Sequence, residues 1–397
     1  FTWLVVLLVA VPSLGMAGAP QPNSNVNAVA LPEGAVLVGM AEIDITPDSP
    51  VRLAGYAGRM DEAGEVIARL SGKALAIGGD DGDGPAVLIM LENCSATAKL
   101  TRDVSARLKE KADVRPERCA VVSTHTHSAP LLPTFAPWHY TKEMPPEHLA
   151  NMKRYRRELT DRLEKVALDA LAARQPGRLA WSRGVVPFGC NRRRLENGKW
   201  VGFVGRDESD APGPVDHDLP MLRVTDLKGK LLGVVANYAC HCTTTSGSYN
   251  AIHGDWAGYA QMAIQAEHPA AVAMITIGCG ADVGPYPSGS LEITRNYGDQ
   301  LAGEVNRLLQ GDFKPVDPKL TARQTTIAVP LGVLPTRDEL QKRADNSHLR
   351  LGARDVARHF LKILDRDGAL PESFDYPITT WSFGDDLAMV FLPGEVT

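Results

Sequence analysis

Two histidines separated by one residue follow a β-branched run in Cys119-Ala-Val-Val-Ser-Thr-His125-Thr-His127-Ser-Ala-Pro130. On an extended backbone, residues two apart project to the same side. Both imidazoles can then meet one transition metal, or one can bind it while the other meets a substrate. A pair of hydrogen-bonded loop histidines explains so short a pattern equally well. A second apolar run, Val234-Val-Ala-Asn-Tyr-Ala-Cys-His241, also carries a histidine to its end. Two such runs make a shared metal the stronger reading. Cys240 and Cys242 flank His241 and point to the other side of a strand, which makes a joint Cys-His-Cys site awkward. The six cysteines contain no CxxC pair, so a zinc ribbon is excluded.

Four further segments carry chemistry-bearing side chains. In His253-Gly-Asp255-Trp the carboxylate suits a helix N-cap and the imidazole an outer partner of the centre. The loop Ile277-Gly-Cys-Gly-Ala-Asp282-Val-Gly-Pro-Tyr286-Pro287 has glycines that let backbone amides approach an oxyanion, and a tight turn needing positive φ explains them equally well. It lacks the Lys-Ser/Thr ending of a P-loop. Asn191-Arg192-Arg193-Arg194 offers a guanidinium for a carbonyl, carboxylate or phosphate. Pro393-Gly-Glu395 places a carboxylate just beyond a strand. Together these supply two imidazoles, a carboxylate and an arginine from strand ends far apart in sequence, the make-up of a catalytic zinc site with an open position.

The elements that must position these groups are legible in outline. Apolar β-branched runs predict strands near 36–45, 74–78, 86–91, 118–124, 177–183, 231–238, 271–277, 321–329, 378–383 and 387–392. Longer 3.6-residue periodicity predicts helices near 96–112, 147–174, 256–267, 291–310 and 336–365. Strands interleaved with helices predict an α/β fold, with mixed β-sheets flanked by helices in a single large catalytic domain over 36–397. No repeat or low-complexity linker divides the chain.

With 397 residues, 44% hydrophobic, 22% charged and a net charge of -5, the chain has ordinary globular composition. The missing basic face excludes nucleic acid as a partner. Residues 2–11 form a short apolar run followed by small residues and Pro through Pro22, which reads as the h-region of a partial signal peptide over 1–19. A flexible linker over 20–35 follows, and the protein is expected to be exported, periplasmic or secreted. The chain stops five residues after its last strand-like run, so a domain truncated at its carboxyl end is expected.

The ordered series resembles the amino-terminal catalytic domain of the neutral (non-lysosomal) ceramidase family over roughly 36–397. It comprises Ala41-Glu-Ile-Asp44-Ile-Thr-Pro47, Gly55-Tyr56, Thr124-His125-Thr-His127-Ser-Ala-Pro130, Asn191-Arg192-Arg193, Val215-Asp216, Asn237-Tyr-Ala-Cys-His241, Gly254-Asp255 with Gly258-Tyr259-Ala260, Asp282-Val-Gly-Pro285 and Pro393-Gly-Glu395. The resemblance implies a Zn2+ amidohydrolase, with His125, His241 and Glu395 as metal ligands. It places His127 and Arg192, with Arg193 or Arg194 as alternative registers, on the substrate carbonyl, and Asp282 in the active site. His253, Asp255 and Tyr286 are expected as outer or substrate contacts. The implied substrate is a small-molecule or lipid N-acyl compound, handled near a membrane surface. An esterase or deacylase acting on sugars and a non-catalytic metal-binding relative are the alternatives. The family's further tyrosine ligand and its immunoglobulin-like domain lie past Thr397, and its Gly-Asp-Val-Ser-Pro segment stands here as Ala281 to Pro285, with Gly284 in the serine position.

Overall fold

The computed structural model describes residues 4–9, 31–56, 58–135, 144–196, 199–202, 213–349 and 351–397. Most of the leader and linker readings therefore fall outside the described residues, as does the side chain of Arg194. The α/β expectation holds. A mixed nine-stranded sheet is built from β2 (Val36–Asp44), β3 (Ser71–Ile77), β4 (Ala86–Leu91), β5 (Cys119–Ser123), β6 (Gln175–Val185), β8 (Asp218–Asp226), β9 (Leu231–Tyr238), β10 (Val272–Ile277) and the short Lys314–Pro315 pair. Its order is β10-β9-β8-β6-β2-β3-β4-β5. β4 and β5 pair in parallel, as do β9 and β10, and every other pairing is antiparallel. Every residue of β4 and β5 is buried, as continuous apolar strands covered on both faces must be.

A second, antiparallel sheet runs β1-β14-β13-β12, from β12 (Leu320–Pro330), β13 (Ser373–Phe383), β14 (Leu387–Pro393) and β1 (Leu4–Val9). The run that reads as an h-region is thus placed as an edge strand, Leu4 opposite Pro393. Trp381, Phe383, Met389 and Phe391 of this small sheet pack on Leu75, Leu88, Met90 and Val122 of the large one. On the opposite face, α1 (Ala98–Ala112) and α2 (Pro146–Ala172) cover β3 and β4. There too, α3 (Asp255–Glu267) and α4 (Leu291–Leu309) cover β9 and β10. The layers are sheet, sheet and helices.

Two expectations change. The helix expected over 336–365 is two, α5 (Arg337–Asp345) and α6 (Leu351–Asp367). Asn346 leaves the helix at ψ 102, and its side-chain oxygen accepts from His348 N at 3.0 Å, the local bonding by which Asn competes with helix. β8 was not expected because Pro220 interrupts its apolar pattern, yet Leu219, Met221, Leu222 and Val224 are fully buried in it. All six cysteines are free thiols. Among the described residues, no helix is long and apolar enough to cross a membrane.

Between the large sheet and α3 lies a buried polar pair. Lys73 Nζ donates to Gln265 Oε1 (2.6 Å) and Ala273 O (2.8 Å), with Glu42 Oε1 at 3.4 Å. Glu92, just past β4, accepts from Ser71 N (2.8 Å) and Gln261 Nε2 (2.6 Å). Burial pushes the Glu92 carboxyl up to about 7 against the opposing pull of Lys73. A carboxyl raised above its unfolded value of 4.5 contributes stability that is present below that value and lost as pH rises through 7. Glu92→Gln is therefore expected to remove a loss on the order of 3 kcal/mol between pH 4.5 and 7. Urea unfolding of both proteins across that range measures it, and parallel pH profiles for wild type and variant contradict it.

Candidate metal centre

The histidine-bearing strands β5 and β9 lie at opposite ends of the order of the nine-stranded sheet. Their exit loops are nonetheless tied together. Thr126 and Cys242 form an isolated parallel bridge, and His127 N donates to Cys242 O at 3.1 Å. The backbone at His125 is not extended: its φ is +58, so the simple two-residue alternation does not apply to this pair. The two rings meet all the same, with centroids 4.9 Å apart and planes at 82°. His241 completes the group, its centroid 4.5 Å from that of His125. Cys240 and Cys242 turn away into the core against α3 and α4.

Backbone carbonyls fix the tautomers. His125 Nδ1 lies 2.8 Å from Cys94 O, and His241 Nδ1 lies 2.6 Å from Gly280 O. A carbonyl only accepts, so both rings carry their proton on Nδ1 and, when neutral, a lone pair on Nε2. Burial, reinforced by neighbouring His241, lowers His125 to about 4, which keeps it neutral at pH 7. Glu395 reaches the same point from the end of β14. Its Oε2 is 3.2 Å from His241 Nε2 and its Oε1 3.6 Å from His125 Nε2. Burial alone pushes Glu395 up, but the neighbouring His241, His125 and Arg192 hold it well below the usual carboxylate range, and with both imidazoles neutral the Arg192 guanidinium is the cation among them. Two lone pairs and an ionised carboxylate thus converge, with ligand atoms all within 4.8 Å of one another. In this structure the His125 lone pair accepts from His127 Nε2 at 3.2 Å and the His241 lone pair from Arg192 Nη2 at 2.8 Å, the places a metal ion would take. The donor set fits zinc, with two imidazole nitrogens, one carboxylate and an open coordination position.

A second grouping, Cys94, His125 and His127, also falls within 4.8 Å. It is the poorer set. Burial raises the Cys94 thiol well above its ordinary value, and His125 Nδ1 is already engaged by Cys94 O. A protonated thiol is a weak ligand.

Around the centre stand the donors. His127 Nε2 faces His125 Nε2 at 3.2 Å, so it must carry the proton, and its buried Nδ1 has no hydrogen-bond partner among the described residues. Burial, helped by the neighbouring imidazoles, pulls His127 well below its ordinary value. Arg192 Nη2 donates to His241 Nε2 (2.8 Å) and to Ala281 O (2.7 Å). The short strands β7 (Gly189–Asn191) and β11 (Val283–Pro285) pair and hold that register. Arg192 N donates to Asp282 O at 2.7 Å. The Asp282 carboxylate is taken up by Asn191 Nδ2 at 3.0 Å and lies outside the cavity lining. His127, Arg192, His241, Glu395 and Tyr286 line one cavity of about 680 Å³, with Gly55, Tyr56, Thr243 to Gly247, Gly284, Pro285, Ser288 and Gly289.

His253 and Asp255 sit behind that wall. Asp255 is the first helical residue rather than the N-cap, at φ +53. Its carboxylate accepts from Thr244 Oγ1 (2.7 Å), Thr244 N (3.1 Å) and Trp256 N (2.8 Å), so it caps the 243–245 turn instead of the helix. His253 Nδ1 accepts from Asp255 N at 3.1 Å, away from the centre. Sequence reading missed Arg59 and Cys94, and assigned no role to Gly55 and Tyr56. Nothing in their spacing marks them, because their partners lie tens to hundreds of residues away. Gly55, at φ +91, would carry a Cβ only 2.2 Å from His127 Cγ. Gly55→Ala is expected to cost about 2–4 kcal/mol in urea unfolding. A variant as stable as wild type contradicts that close approach.

A sequence model described as neutral/alkaline non-lysosomal ceramidase, N-terminal, matches residues 36–276. Two solved structures share the fold. A ceramidase complexed with C2 is 17% identical, with a TM-score of 0.65 over 89% of this chain and 62% of that one. The neutral ceramidase of Pseudomonas aeruginosa is 17% identical, with a TM-score of 0.63 over 89% of this chain and 61% of that one. The chain thus spans about three fifths of the length of these structures.

Proposed function

The chain belongs to the neutral/alkaline non-lysosomal ceramidase family, and from that premise we propose that it is a zinc-dependent hydrolase that cleaves an amide (N-acyl) bond. The observation that carries this reading is the convergence of two tautomer-locked Nε2 lone pairs and the Glu395 carboxylate on one point. His125, His241 and Glu395 would hold the zinc, which when bound would supply Lewis-acid polarisation of a carbonyl and a water with its pKa brought to about 7. Once the His125 lone pair is engaged, the Nε2–H of His127 is released to donate to a substrate carbonyl oxygen. The Arg192 Nη2 hydrogen now on His241 Nε2 would be freed in the same way, to donate to that oxygen as it gains charge. Ala281 O holds the guanidinium through both Nε (3.1 Å) and Nη2 (2.7 Å), so its aim does not depend on substrate. The second Glu395 oxygen is an acceptor for a water proton. Asp282 acts one step removed, through Asn191 and the register of Arg192.

A second reading rests on the cavity wall. Tyr56, Thr243, Thr244, Thr245, Ser246, Tyr286 and Ser288 line it, and no Leu, Ile, Val, Met or Phe does so among the described residues. Such a wall favours a hydroxylated acyl compound, amide or ester, over long alkyl chains. Export remains our proposal from the apolar run at 2–11, with proximity to a membrane surface if the substrate is a lipid. A secreted protein whose mass shows residues 1–19 still attached sinks the cleaved-leader reading.

Purified protein is expected to hold about one equivalent of zinc and to hydrolyse an N-acyl substrate. A panel of N-acyl amino alcohols, N-acetyl sugars and acyl esters ranks the substrates. Chelation is expected to abolish turnover and zinc to restore it. His125→Ala and His241→Ala should lose both, and either variant retaining both overturns the ligand assignment. Arg192→Lys should keep its zinc and lose kcat by about 10²–10³. An unchanged kcat in that variant removes Arg192 from the carbonyl.

A further inference from the structure

The metal ligands and the substrate-facing wall are held by different parts of the chain. His125 and His241 hang from the carbonyls of Cys94 and Gly280. The wall hangs from one buried guanidinium. Arg59, 6% exposed, sits behind the cavity. Its Nε donates to Gly247 O (3.1 Å), Nη2 to Tyr249 O (3.1 Å), and Nη1 to both Ala54 O (3.4 Å) and His127 O. These four carbonyls belong to three segments and lie between 5 and 190 residues from Arg59 along the chain. Gly55, Tyr56, His127 and Gly247 within them line the cavity.

The three segments also interlock around that cation. Arg59 Cζ lies 4.7 Å over the Tyr56 ring, and Tyr56 meets His127 edge-on at 5.0 Å. Tyr56 OH donates to Thr245 O at 2.9 Å, and a Cβ on Gly247 would touch the Tyr56 ring at 3.1 Å. No segment can shift without moving the next. A guanidinium is suited to this because its five donors lie in one rigid plane, whereas a lysine ammonium is a compact charge that cannot span all four carbonyls.

We propose that Arg59 is a positioning residue that sets the substrate-binding wall, through Gly55, Tyr56, His127 and Gly247, independently of metal binding. The proposal rests on the hydrolase reading above for its kinetic arm only. Arg59→Ala is expected to keep about one equivalent of zinc. Hydrogen exchange at 54–56 and 246–250 should quicken at least about tenfold, with no change at 119–123 or 231–238. For an N-acyl substrate turned over by wild type, kcat/KM should fall at least about tenfold, with KM raised through Tyr56 and Gly247 and kcat lowered through His127. Methylguanidinium should restore part of kcat/KM, and Arg59→Lys should not. Arg59→Lys also serves as the folded variant should the alanine protein fail to fold, with the same exchange and kcat/KM shifts expected. Zinc lost in step with kcat/KM, exchange quickened throughout, or an unmoved kcat/KM beside a loosened wall each overturns it. A wild type with no turnover sinks the hydrolase reading instead, and the exchange arm then decides this one alone.

Discussion

The hydrogen bonds from His125 Nδ1 to Cys94 O (2.8 Å) and from His241 Nδ1 to Gly280 O (2.6 Å) are short and buried. Everything about the centre follows from them. A carbonyl partner leaves each imidazole one possible neutral form, with its lone pair on Nε2. Both lone pairs then lie beside the Glu395 carboxylate, an arrangement offset here by the Arg192 guanidinium and the His127 Nε2 proton. Packing holds the backbone on each side. Cys94 follows the fully buried β4, and Gly280 follows β10.

The three ligands come from distant parts of the architecture. β5 and β9 stand near opposite ends of the large sheet, and β14 belongs to the small one. Their loops meet through the Thr126–Cys242 bridge, the bond from His127 N to Cys242 O, and the bond from Ala281 N to Val396 O at 3.0 Å. The apolar interface between the two sheets, centred on Trp381 and Phe391, therefore does more than stabilise. It sets the height at which Glu395 leaves β14. Burial supplies the electrostatics, keeping His125 and His127 neutral while His241 and the Arg192 guanidinium keep Glu395 ionised.

The candidate metal ligands and the cavity wall are held by different residues in this molecule. Cys94 and Gly280 serve the first, Arg59 and Asp255 the second. Asp255 illustrates the difference between residue type and residue role. It is an acidic residue at a helix start, and so reads as a cap, but its carboxylate is spent on the Thr244 turn of the cavity wall. Thr243 to Ser246, Tyr286 and Ser288 complete that wall beside Tyr56 and Gly284.

Strand and helix types were legible from the sequence because hydrophobic periodicity is a local property. The apolar runs 86–91, 231–238 and 387–392 coincide with β4, β9 and most of β14. Candidate ligand types were legible as well, since His, Glu and Arg at strand ends are chemically conspicuous. The order of the motifs carried the family. Local pattern failed where a proline masked β8 and where Asn346 split a helix by bonding to its own backbone. Only tertiary structure decided the His125 backbone at φ +58, the tautomers, the withdrawal of Asp282 behind Asn191 and the four carbonyls on Arg59. Each of these depends on a partner between 31 and 190 residues away, or on a loop conformation that such a partner imposes. No periodicity along the chain records a contact of that range.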